Sequence, residues 1–154
     1  MQIKNGVDSH LMTDVLIEQL YKMDSLTEVR FKNDFTADVL LINQKRMQLI
    51  GVEVKSDKDS SRRLERQLKG YLRWFHGVYV ACTLSQLKAV LRVLKSPEFA
   101  NVGVLLFMNN DINDVRFDIY KRAKPNNVMS LGTDWISKRH QLYQYKWLLD
   151  EIWK

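Results

Sequence analysis

The chain has 154 residues, 45% of them hydrophobic and 27% charged, with a formal net charge of +6. That length carries a core without disulfide or metal support, the composition is that of a globular rather than a disordered protein, and the positive balance favours a polyanionic partner. The lone cysteine, Cys82, excludes an intrachain disulfide, a Cys-only zinc site and a cysteine-held iron–sulfur cluster.

Asp8 or Ser9 can cap a first helix running to about residue 23, with Met12, Val15, Leu16, Leu20 and Met23 as its apolar stripe. Residues 25–32 read as a strand, Asn33-Asp34 as a turn, and residues 36–42 as a second, strongly apolar strand interrupted by Asp38. A polar break of hairpin length, Asn43-Gln44-Lys45-Arg46, leads into a third strand over residues 47–55 that carries Glu53 and Lys55. The polar loop 56–61 ends in helix-capping serines, and a helix over residues 61–75 shows Leu64, Leu68, Tyr71, Leu72 and Phe75 at helical spacing. A short buried strand at 78–82 follows, with Cys82 read as a small buried residue. A helix from Thr83 comes next, with Gln86 completing a capping box. Residues 102–108 read as a buried strand, 115–120 as an edge strand, and a last helix opens at Asp134 or Ser137.

This order predicts an α/β fold, a central mixed sheet flanked by helices, in a single domain spanning residues 1–154. No run approaches the ~18 apolar residues that cross a bilayer, and the N-terminus lacks the apolar core of a secretion signal. No membrane contact and a reducing, cytoplasmic location are therefore expected.

The chemistry gathers on the second and third strands. A charge inside an apolar strand is costly unless paired or bound to a metal. Strand alternation puts Glu53 and Lys55 on one face, and the hairpin sets Asp38 within cross-strand reach. Two carboxylates, with the Val54 carbonyl as a further ligand, suit Mg²⁺, with Mn²⁺ as an alternative. Lys55 would then orient a water or neutralise charge on a phosphate. A lone Glu-x-Lys is more often a weak surface ion pair. The Asp on the neighbouring strand and the basic helix that follows shift the balance. On and before that helix Lys58, Arg62, Arg63, Arg66, Lys69 and Arg73 are candidate phosphate contacts. His10, His76 and His140 are scattered and give no metal spacing, and no glycine-rich phosphate loop is present.

Asp38 followed by Glu53-Val54-Lys55, with a helix and a strand after them, resembles the core of the PD-(D/E)XK nuclease superfamily. Ala37-Asp38 stands where that family often has Pro-Asp. Gln67-Leu68-Lys69-Gly70-Tyr71 resembles the Gln-x-x-x-Tyr element of its RecB-type branch. The resemblance implies a restriction-endonuclease-like αβββαβ core over about residues 8–82 and leaves 83–154 as a C-terminal αββα extension. It implies metal-dependent hydrolysis of DNA with Asp38, Glu53, Lys55 and Gln67 as catalytic residues, Glu18 on the first helix as an added metal ligand with Asp14 as its rival, and Tyr71 beside the nucleic acid. The family's iron–sulfur subgroup is not expected from one cysteine.

The sequence thus supports a Mg²⁺-dependent DNA nuclease first. The alternative is a nucleic-acid-binding or DNA-repair accessory module that keeps the fold with little catalysis. The aromatic residues Trp135, Tyr143, Tyr145, Trp147 and Trp153 suit core packing or a homodimer contact on the last helix.

Overall fold

The computed structural model describes residues 6–31, 35–43, 48–111 and 113–126. Expectations for the break at 44–46 and for the helix and aromatic cluster beyond residue 134 lie outside the described residues.

Among the described residues, three α-helices and six strands follow one another as α1 Ser9–Gln19, β1 Asp24–Phe31, β2 Phe35–Asn43, β3 Gln48–Lys55, α2 Leu64–Trp74, β4 Gly77–Cys82, α3 Leu84–Val93, β5 Gly103–Asp111 and β6 Asp114–Lys121. The strands lie in one sheet in sequence order, β1-β2-β3-β4-β5-β6. The first three form an antiparallel meander, β3, β4 and β5 are parallel, and β6 returns antiparallel to β5. The fold is therefore α/β with a mixed central sheet. Parallel neighbours need a crossover, and α2 and α3 supply the two that join β3 to β4 and β4 to β5.

Each face of the sheet carries its own core. Leu64, Leu68, Tyr71 and Phe75 from the α2 segment, with Val90 and Leu94 from the α3 segment, pack on Leu40, Leu49, Val78, Val80, Cys82 and Val104. Met12 and Leu16 from α1 cover Val39, Val52, Val54, Ala81, Phe107 and Phe117 on the other face. β3 and β4 are buried on both faces, which explains their nearly unbroken apolar sequences. Burial pushes the Cys82 thiol up to about 12 and leaves it protonated and unreactive. Among the described residues, no helix is long and apolar enough to cross a membrane.

Local chemistry sets the element ends. Asp8 caps α1, its carboxylate accepting from the Leu11 N–H at 2.9 Å. The helix expected from residue 61 begins instead as a 3-10 turn, Ser61–Arg63, capped by the Ser60 hydroxyl, and becomes α-helical at Leu64. The expected Thr83–Gln86 capping box does not form. Thr83 caps α3 without a side-chain bond, and the Gln86 amide donates to the Ser56 and Asp59 carbonyls, tying α3 to the loop after β3. At the β6 edge, Gln19 bonds both backbone groups of Phe117, accepting from its N–H at 2.7 Å and donating to its carbonyl at 2.8 Å. One side chain thus does there what a further strand would do.

The core face bearing α2 contains a tight aromatic stack. The Tyr71 ring lies 4.9 Å from Phe35 and 5.4 Å from Phe75. Gly51 and Gly70 make room for it. A Cβ on Gly51 would run into the Phe75 ring and come within 2.7 Å of Tyr71, and one on Gly70 would come within 2.6 Å of Phe35. Gly51→Ala should therefore destabilise the fold by about 1–3 kcal/mol through overpacking, read as a lower urea midpoint with an unchanged denaturant slope. A variant as stable as the wild type would mean that the rings are not seated on that glycine.

Candidate functional site

The antiparallel ladder between β2 and β3 ends at the pair Val39 and Val52. One residue further on, Asp38 and Glu53 face each other. There the Asp38 carboxylate replaces the missing strand partner, its Oδ2 accepting from the Val54 N–H at 2.8 Å. In an extended strand a residue's N–H and carbonyl point to the same side. The Val54 carbonyl therefore faces the same opening.

Tyr71 fixes both acids from below. Its hydroxyl accepts from the Asp38 N–H at 3.0 Å and donates to Glu53 Oε1 at 2.8 Å, with the Val52 carbonyl 3.3 Å away. Lys55 Nζ lies 3.5 Å from Glu53 Oε2 and 3.3 Å from the Ser60 carbonyl. Glu53 and Lys55 are only 2% and 5% exposed, so this contact is buried, unlike the weak surface pair that a bare Glu-x-Lys suggests.

Burial raises the pKa of both acids. The Glu53 carboxyl is pushed up to about 8, first by loss of water and then by the Asp38 charge, against the pull of Lys55 and the Tyr71 hydrogen bond. Burial also raises Asp38, opposed by the Val54 N–H and by a hydrogen bond from Glu53. Both acids therefore hold a proton more tightly than a free carboxyl does, because burial and their mutual crowding disfavour a doubly ionised pair. Burial and the same two carboxylates push the Tyr71 hydroxyl well above its usual range, so it remains a donor.

Three clefts meet at Asp38. The largest, about 430 Å³, is lined by Glu53, Val54, Lys55, Arg62, Arg63 and Gln67 together with Asp38 and the Ser60 loop. The second contains Arg63, Arg66 and Gln67. The third, toward α1, is lined by His10, Asp14, Glu28 and Val54. Of the residues singled out in the sequence, Asp38, Glu53, Val54, Lys55, Gln67, Arg62, Arg63 and Arg66 converge here. Others do not. Glu18 is exposed and lines none of the three clefts, whereas Asp14, one turn earlier, lines the third. Lys58 and Arg73 are exposed outside them, and Lys69 pairs with Glu65 one turn away. Tyr71, expected beside a nucleic acid, is fully buried and cannot touch one. Its aromatic body belongs to the core, and its hydroxyl orders the acids.

Glu28 was not legible in the sequence. It stands across from Asp38 in the β1–β2 register, between the pairs Thr27–Val39 and Val29–Ala37, and has a left-handed backbone with φ of 53°. Such a conformation is uncommon outside glycine and asparagine, and a strand-like run gives no signal for it.

Whether a divalent cation fits can be judged from these donors. Among the described residues no three His, Cys, Asp or Glu side chains gather as a metal site. That disfavours zinc, which takes three or four protein ligands. Two crowded, desolvated carboxylates and a backbone carbonyl beside an open cleft suit a hard cation such as Mg²⁺ that keeps several waters.

The raised Glu53 carboxyl has a consequence for stability. Below pH 4.5 folded and unfolded chains both hold the proton. Between there and about 8 only the unfolded chain has released it, so stability falls by up to about 1.4 kcal/mol per pH unit and levels off above 8. Glu53→Gln should remove that slope. In EDTA, urea midpoints of the variant and wild type should agree near pH 4, and the variant should be the more stable by a few kcal/mol near pH 8. Parallel pH profiles would show that Glu53 does not hold the proton.

Three comparisons place the chain among known proteins. The bacteriophage P4 protein cII family matches residues 3–145. Protein cII of Enterobacteria phage P4 is 32% identical over 116 residues, covering 71% of this chain and 41% of the phage protein. The chain thus corresponds to about two fifths of that relative's length. A protein of unknown function from Silicibacter pomeroyi superposes with a TM-score of 0.59 at 14% identity, over 96% of this chain and 91% of that one, a likeness of fold alone.

These findings correct the expectation of a PD-(D/E)XK nuclease. The family found is that of protein cII and not one of nucleases, so membership of that superfamily and the roles of hydrolase and deoxyribonuclease are withdrawn. The physical reason is that Asp38, Glu53-x-Lys55 and Gln67 specify an arrangement of charges, and the same arrangement can hold a phosphate without cleaving it. With the match extending from residue 3 to residue 145, the chain belongs to the bacteriophage P4 protein cII family.

Proposed function

We propose that this chain is a DNA-binding module that grips the phosphate backbone through a divalent cation and a basic helix flank. One observation carries the reading. Asp38, Glu53 and the Val54 backbone share a single cleft with Lys55, Arg62 and Arg63. Acids alone would repel a phosphate, and bases alone would need no buried acids. Together they suit a cation held from one side by carboxylates and from the other by phosphate oxygens. Mg²⁺, once bound, neutralises the crowded acids and supplies positive charge toward the strand. The order of one helix, three strands, a helix and a strand supports a restriction-endonuclease-like core used here for binding. The net charge of +6 agrees with a polyanionic partner.

In this reading Asp38 and Glu53 hold the cation, Lys55 takes a phosphate oxygen, and Arg62 and Arg63 add phosphate contacts. Tyr71 is a positioning residue, because it acts through the acids and touches no ligand.

The test is fluorescence anisotropy with labelled duplex and single-stranded DNA, with Mg²⁺ or EDTA. Mg²⁺ should tighten wild-type binding at least tenfold, Asp38→Ala should abolish that gain, and Lys55→Ala should weaken binding about tenfold. Equal affinity in Mg²⁺ and EDTA would remove the cation from the proposal. Strand scission by the wild type under the same conditions would overturn the binding module itself.

A further inference from the structure

The second of the three clefts has a use of its own. It opens between the start of β2 and α2, measures about 230 Å³, and is lined by Phe35, Thr36, Asp38, Arg63, Arg66 and Gln67. That volume is below the ~300–1,000 Å³ of sites for whole drug-sized ligands, so it suits a group of phosphate size. Arg63 and Gln67 also line the larger cleft, so the two adjoin along one wall. Arg63, Arg66 and Gln67 are three and four residues apart and therefore share a helix flank.

Two observations point independently to a ligand. Arg63 and Arg66 are exposed and form no ion pair or hydrogen bond among the described residues, although other charged side chains on the same helix do: Lys69 pairs with Glu65. Gln67 buries its Oε1 with no hydrogen-bond partner, at the wall between the clefts. A bare buried acceptor costs about 1–3 kcal/mol, so such atoms are normally satisfied. A phosphate accepts only and cannot satisfy it. The missing partner is a donor.

We infer that this cleft is a second phosphate subsite, taken by the phosphate next along the strand from the one at Lys55. Arg63, Arg66 and the Thr36 hydroxyl are its donors, and the Gln67 amide, whose Oε1 is closed to solvent in the free chain, turns into the cleft to accept from a donor that arrives with the strand, either a group of the nucleotide or a water it carries. The inference rests on the DNA-binding reading and deepens it. It makes the module a reader of two adjacent phosphates on one strand, with Asp38 and Gln67 at the division between them.

The experiment is a salt titration of binding to a short DNA duplex in Mg²⁺, using the full chain. Each phosphate contact adds about 0.9 to the slope of log affinity against log salt. Arg66→Ala should lower the slope by about 1, and the Arg66→Ala, Lys55→Ala pair by about 2. Lys88→Ala, on α3 outside the clefts, should leave it unchanged. Gln67→Met separates a ligand role from a structural one. It removes the bare acceptor, so the free protein should become no less stable in urea, while DNA affinity falls several-fold. Binding that depends on Lys55 but keeps its slope in Arg66→Ala would sink the second subsite and leave the binding module standing. Loss of stability in Gln67→Met without loss of affinity would also sink it. No binding by any form would sink both.

Discussion

A carboxyl group buried in the middle of a sheet against a second carboxyl is the constraint around which this molecule is arranged. Glu53 is 2% exposed and sits on β3, which has neighbours on both sides. Removing it from water is unfavourable by several kcal/mol unless it is neutralised or bonded. The fold answers in three ways. The acid keeps its proton to about pH 8, the Tyr71 hydroxyl donates to it, and the Lys55 ammonium lies 3.5 Å away. Lys55 belongs to β3 with Glu53 and Tyr71 to α2, and the Tyr71 hydroxyl also accepts from the Asp38 N–H of β2, so these three elements cannot shift relative to one another without breaking the contacts that satisfy the buried acid. Gly51 and Gly70 belong to the same arrangement, because the stacked rings that hold Tyr71 in place occupy the space their side chains would need.

Much of this architecture was legible in the sequence. Alternation in β3 placed Glu53 and Lys55 on one face, and the apolar pattern gave all six strands and the first three helices close to their observed positions. Those features depend on burial, and burial leaves a periodic trace. What could not be read depends on backbone detail or on competition between partners. The tight turn that opens α2 arises where Ser60 caps Arg62 before the helix proper. The Gln86 side chain had two equally local uses, a capping box or a bond to the preceding loop, and the loop's open carbonyls won. Glu28 adopts its positive φ opposite Asp38 for reasons no residue type announces.

The site residues divide along the same line. Asp38, Glu53 and Lys55 stand out in the sequence because charge in an apolar strand is conspicuous, whereas Gln67 stands out only through the resemblance of Gln67-x-x-x-Tyr71 to a family element. The basic residues were not separable from one another in the sequence, since Lys58, Arg62, Arg63, Arg66, Lys69 and Arg73 all sit on one polar stretch. Helix geometry sorts them. Arg62, Arg63 and Arg66 turn toward Asp38, while Lys69 finds Glu65 and Arg73 lies beyond the clefts. Tyr71 shows the opposite difficulty. The apolar stripe puts its ring in the core with the hydroxyl reaching outward, as observed, and only the family resemblance set it beside a nucleic acid.

The step from charge arrangement to activity is where the family affiliation matters. Hydrolysis requires a water aligned behind a phosphate and a leaving group aligned in front of it. Binding requires only that the phosphate be held. The end of the β2–β3 ladder suits the second requirement on the proposed reading. Where the ladder stops, a carboxylate takes the N–H that a strand would have taken, and the same break exposes the Val54 carbonyl, the two acids and Lys55 to one opening. The module therefore needs no added loop to make its site. The opening comes from the interruption of the sheet itself, and on the proposed reading a phosphate would be held there only as firmly as the buried Tyr71 keeps that interruption in shape.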